Sequence, residues 1–112
     1  QWASIQTGKT ADEHKIFRLG DVIDSSEKQI YEIIEERGYS VGALMPMNTK
    51  NSLKNPKYFI PDAWTDTKTD NSFWSNLIYS SVKEIVNNNS NKKLSLISAF
   101  YFFFIIFKIC KI

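Results

Sequence analysis

Apolar residues recur at steps of three and four in two stretches of the chain and run together in two shorter ones, and this alternation sets the predicted elements. Ile30, Ile33 and Ile34 lead to Arg37 at helical spacing. Ser26-Glu27-Lys28-Gln29 just before them has the spacing of a capping box, with Gln29 in position to return its side chain to the Ser26 N–H. Gly38 stands where a left-handed terminator ends a helix, so the pattern predicts a helix over Glu27–Arg37. Its outer face would carry Glu32, Glu35 and Glu36 in solvent. The small and apolar run Tyr39–Leu44 predicts a strand buried on both faces, and helix, glycine and strand together make half of an α/β crossover. Met45-Pro46-Met47-Asn48 ends that strand, a polar stretch rich in Lys and Asn reads as surface loop, and Tyr58-Phe59-Ile60-Pro61-Asp62 gives a second extended run.

Phe73, Trp74, Leu77, Ile78, Val82, Ile85 and Val86 predict a second amphipathic helix from Ser72 to Val86, which Asn87-Asn88-Asn89-Ser90-Asn91 would end. Near the start, Thr7-Gly8-Lys9-Thr10 interrupts the pattern, and Thr10 with Asp12 and Glu13 predicts a capped turn carrying His14. The pattern divides the chain into an α/β unit over 1–86, a polar linker over 87–93 and an apolar aromatic helix over 94–112. Only 14 residues separate Lys93 from Lys108, fewer than the roughly 17 to 25 of a spanning helix. That length suits a helix packed on protein. Snorkelling lysines leave a membrane-surface or spanning helix open, and a terminus without structural meaning is a third possibility.

Charge sharpens this division. The formal net charge is +2, too slight by itself to point to nucleic acid, and no nucleic-acid partner is expected. All acids lie at or before Glu84, so residues 1–91 are mildly acidic while Lys92, Lys93, Lys108 and Lys111 make the tail basic. At 112 residues and 43% hydrophobic content the chain is sized for one small core. A single cysteine, Cys110, and a single histidine, His14, provide neither an internal disulfide nor a zinc knuckle. Gln1–Lys9 has no secretory signal pattern, which suits a reducing compartment or membrane association. Trp2-Ala3-Ser4-Ile5 reads as the interior of a domain, so a fragment of a longer protein is expected.

Gly8-Lys9-Thr10 imitates the end of a Walker loop, but Ala3 stands where its first glycine belongs. Three other peptides carry more. Trp2-Ala3-Ser4-Ile5-Gln6-Thr7-Gly8 followed by His14, then Gly42-Ala43-Leu44-Met45-Pro46-Met47-Asn48, then Tyr58-Phe59-Ile60-Pro61-Asp62-Ala63-Trp64-Thr65, occur in that order. Together they resemble the type I phosphodiesterase/nucleotide pyrophosphatase-like branch of the alkaline phosphatase superfamily. His14-Lys15-Ile16 departs from that branch, where glycine follows the histidine.

The resemblance implies an α/β sandwich hydrolase acting on phosphomonoesters or phosphodiesters, with two divalent metals, usually zinc, around a Thr or Ser nucleophile. By the family's spacing that nucleophile would precede Thr7-Gly8 by about ten residues and so fall before Gln1, with most metal ligands after Ile112. The chain alone is thus expected to bind no metal and to be inactive, while the intact protein would take a small phosphoester substrate.

Five residues are candidates for contact with that substrate, each with a plainer reading beside it. His14 would orient the phosphate-site loop or be an ordinary turn residue, and Asp21 would approach the site or serve the Leu19-Gly20-Asp21 turn. Asn48, Asp62 and Trp64 would line a pocket where strand ends converge, with Trp64 alternatively capping the core. A different kind of function is also compatible with an acidic head and a basic aromatic tail: a small tail-anchored or membrane-associated interaction protein without catalysis, touching the membrane through 94–112.

Overall fold

The computed structural model describes residues 1–89 and 96–109, a mixed α/β arrangement of five helices and two short strands among the described residues. Helix α1 spans Trp2–Thr7 and α2 spans Ala11–His14. As the sequence predicts, Thr10 caps α2: its N–H and hydroxyl both donate to Glu13 Oε2, at 2.7 and 2.8 Å. Gly8 terminates α1 in the left-handed conformation, with its N–H on the Ser4 carbonyl. In the Gly-Lys-Thr triplet Gly8 thus closes α1 and Thr10 opens the single-turn α2, so the triplet joins two short helices and does not follow a strand as a phosphate loop does.

Helix α3 is shorter than predicted, Ile30–Glu36, and starts after Gln29 rather than after Ser26. The reason lies in the side chains of the expected first turn. Glu27 pairs with Lys9 at 2.6 Å and Lys28 reaches Glu36 at 2.7 Å. Gln29 is buried and extended, and its N–H donates to Glu32 Oε2 at 2.8 Å. The C-terminus follows expectation: Gly38 has φ 86°, its N–H bonds the Glu35 carbonyl, and the Tyr39 N–H bonds the Ile34 carbonyl, a Schellman closure.

Strands β1 (Gly42–Leu44) and β2 (Tyr58–Ile60) pair in parallel, with Ala43 opposite Phe59. Only Ala43 of β1 is buried, which corrects the expectation of a strand covered on both faces. The connection over 45–57 is also not the surface loop expected, because Thr49, Asn51 and Leu53 are buried. Asn51 holds it inward by donating to the carbonyls of Lys68 and Thr69. Glu35, expected in solvent, receives the N–H groups of Lys54 and Asn55 at 2.9 and 2.7 Å.

Two small cores result. Val41, Ala43, Leu53 and Phe59 pack with Tyr31, and Ala3, Ile16 and Val22 pack with Ile23 near a 3-10 turn at Asp21–Ile23. Helix α4, Phe73–Asn89, packs on β2 and runs through the asparagines expected to end it. Ser72 supports its start by accepting the Ser75 N–H, and Asp70 accepts the N–H groups of Ser72 and Phe59. Helix α5, Leu96–Ile109, lies against α4 through a stacked pair, Trp74 and Phe104. Among the described residues no helix is long and apolar enough to cross a membrane. Of the predicted linker over 87–93, residues 87–89 belong to α4 and the rest falls outside the described residues, as does Cys110.

Gly42 faces the Tyr58 ring so closely that a Cβ there would overlap it. The ring is half exposed and can swing away, so Gly42→Ala should lower unfolding free energy by about 1 to 2 kcal/mol in urea melts. In a Tyr58→Ala background the same change should be nearly neutral, and equal penalties in both backgrounds would contradict this packing.

Two carboxylates also set a pH dependence. The Lys54 and Asn55 N–H groups hold Glu35 below its ordinary 4.5. Burial pushes Asp70 up from 3.8, but the Ser72 N–H and the Ser75 hydroxyl outweigh it and leave the net shift downward. Because both are lowered in the folded chain, the unfolded chain binds these protons first. Their stabilisation is whole above the ordinary values and is lost as pH falls through and below them. Asp70→Asn combined with Glu35→Gln should flatten the fall of the urea midpoint between about pH 5 and pH 3; an unchanged slope would remove these groups from the acid response.

Candidate functional site

In open parallel sheets ligands bind beyond the carboxyl ends of the strands. Here those ends are Met45–Asn48 after β1 and Pro61–Thr65 after β2. Met45 and Asn48 both hold left-handed backbone, φ 49° and 51°, on either side of Pro46-Met47. For non-glycine residues that conformation costs on the order of 1 kcal/mol or more and persists only where neighbours fix it. For Met45 the fixing bond is its N–H on the Ile60 carbonyl at 2.7 Å.

For Asn48 the fixing group is Asp62. The Asn48 N–H donates to Asp62 Oδ2 at 2.8 Å, as does the Thr65 hydroxyl, while Asp62 Oδ1 accepts the N–H groups of Trp64 and Thr65, also at 2.8 Å. These four donors fill the acceptor positions of a buried carboxylate. Asp62 thereby positions both loops. Asn48 carries the link onward, since its Oδ1 accepts the Gly20 N–H at 3.0 Å. The structure thus brings Asn48 and Asp62 together and ties them to the turn containing Asp21. Trp64 is attached through its N–H, but its ring is 54% exposed and does not cap the core.

Asp21 serves its own turn, accepting the N–H groups of Arg18 at 2.9 Å and Phe17 at 3.2 Å. His14 is buried and fully engaged. The Ile16 N–H can only donate, so Nδ1 accepts it at 2.9 Å and the ring proton belongs on Nε2, 2.9 Å from Ser4 Oγ. With that polarity His14 donates to Ser4 and is not its base. His14 and Asp21 share a cleft of about 440 Å³ with Glu13, Asp24 and Glu27, and Lys15 lies on its wall. The Thr10 N–H and hydroxyl lower the Glu13 carboxyl, keeping it ionised on that wall. Such a lining disfavours a bare phosphate.

A second concavity of about 400 Å³ lies beside the β1 end and is apolar, with Trp2, Ile5, Ile30, Met45 and Pro46 on its walls. At its margin Gln6 does work that its residue type did not announce: it donates to the Met47 carbonyl at 2.8 Å and accepts from Gln29 at 3.3 Å. The one available signal was position, because Gln6 and Ala3 fall on the same face of α1 and both are buried. No three metal-ligating side chains cluster among the described residues. The residues present therefore do not fit a divalent metal. Compared with known proteins, the chain matches no family model, no curated protein and no solved structure.

Asp62→Asn should expose the importance of the carboxylate. Either amide orientation sets an NH2 against at least one backbone N–H, so the variant should lose about 2 to 3 kcal/mol in urea melts. A loss under about half a kcal/mol would mean that the loops do not depend on this group.

Proposed function

We propose that the chain belongs to a metal-dependent hydrolase of phosphoester bonds built on an alkaline-phosphatase-like α/β sandwich, to which residues 1–86 contribute part of the sheet and the loops at its carboxyl end. The observation that carries this reading is the convergence of the three family-like peptides. Gln6 in the first bonds the Met47 carbonyl in the second, and Asn48 at the end of the second bonds Asp62 in the third. Residues far apart in sequence thus meet at the end of a parallel sheet, where substrate is bound in such folds. The apolar groove beside Met45 suits the organic part of an ester.

In this reading Trp64 meets the substrate, while His14, Asp21, Asn48 and Asp62, whose polar atoms are bonded within the fold, act as positioning residues for the loops around it. The metal, zinc by resemblance, and the nucleophile come from other parts of the intact protein, because the described residues contain no fitting ligand set. The test is the flanking coding DNA followed by the longer polypeptide. A Thr or Ser is expected about ten residues before Thr7-Gly8, with Asp and His clusters after Ile112. The longer protein should then hydrolyse bis(p-nitrophenyl) phosphate with zinc and lose that activity when the Thr or Ser becomes Ala. A bounded reading frame without these residues, or zinc-dependent turnover by the 112 residues alone, would overturn the proposal.

A further inference from the structure

Helix α5 presents two faces of different character. Phe104 turns toward α4 and stacks on Trp74, with ring centroids 6.1 Å apart. At about 100° per residue, Phe100, Phe103 and Ile106 span an arc of about 120° whose centre points about 100° away from Phe104. Phe100 and Phe103 are 74% and 77% exposed, and Ile106 is 51% exposed. Phe73, 67% exposed, continues the apolar surface from α4 and packs edge-on against Trp74 at 5.3 Å. A contiguous aromatic surface of this kind marks a binding face.

Charge decides its occupant. Lys108 is exposed in the last turn of α5, and in the sequence Lys92 and Lys93 precede the helix, Lys111 follows it and no acid comes after Glu84. A protein core offers no reason for lysines at both ends of an aromatic helix, and the 1–91 region carries a net charge of only −2, whereas an anionic lipid headgroup layer presents a dense array of phosphates to them. Length decides depth: 14 residues at 1.5 Å each reach only about 21 Å, short of a hydrocarbon core of about 30 Å.

We propose that α5 lies in the surface of an anionic phospholipid bilayer, with Phe100, Phe103 and Ile106 inserted below the headgroups, its lysines among the phosphates, and α4 beside it through the Trp74–Phe104 stack. The 1–86 unit is thereby held at the membrane, whatever reaction it serves.

Flotation of the full chain with vesicles of phosphatidylcholine alone, or with three-tenths phosphatidylserine, tests this. The chain should float with the anionic vesicles at least tenfold more than with the neutral ones, and 0.5 M NaCl should reverse most of the difference. Lys108→Glu should weaken partitioning several-fold, and Phe100→Asp with Phe103→Asp should abolish it while circular dichroism keeps the helical signal. Equal flotation on both vesicles, flotation that survives the double Asp change, or a dimer in sedimentation that the same change dissolves without any lipid binding would each overturn the proposal.

Discussion

Four donors converge on one buried carboxylate, and the upper half of the fold depends on that arrangement. Asp62 fixes the end of β2 through the N–H groups of Trp64 and Thr65 and fixes the end of β1 through Asn48. A carboxylate in this position must be saturated, because burying one with open acceptor sites is costly. Saturation in turn demands the left-handed backbone at Asn48, which aims its side chain at Gly20. The 18–20 turn, the two strand ends and the left-handed Met45 form one hydrogen-bonded unit. The strands themselves are only three residues long and could not hold these loops by pairing alone.

The same logic of spent side chains runs through the rest of the site. His14 uses both ring nitrogens to join α1, α2 and the following loop. Gln6 and Gln29 join α1, α3 and the Met47 carbonyl. These polar groups are the mortar of a fold with little apolar core, since its two buried clusters hold only a few side chains each. What they leave free is an apolar groove beside Met45 and an exposed Trp64.

Much of the fold was legible because local chemistry and final structure agree. The Thr10–Glu13 cap, the Gly38 terminator and the amphipathic pattern of α4 all depend on neighbours within a few residues. The failures share the opposite trait. Ser26 did not cap α3 because Gln29 is held extended among long-range partners, Gln6 above all. The 45–57 connection is drawn inward by Asn51 reaching across to Lys68 and Thr69, and Glu35, at the surface, accepts amides nineteen and twenty residues away. Of the five site candidates, Asp62 and Asn48 were singled out by their place after strands, and the structure bonds them to each other. Their mutual bond, and the saturation that makes Asp62 a positioning group, depend on three-dimensional closure that no spacing encodes.

Amide hydrogen exchange at Asn48, Trp64 and Thr65 tests the central role of Asp62 most directly. The account predicts that these loop amides open only with the core, at the same free energy as the Phe59 amide in β2. Exchange at the rate of an open loop, while Phe59 stays protected, would contradict it.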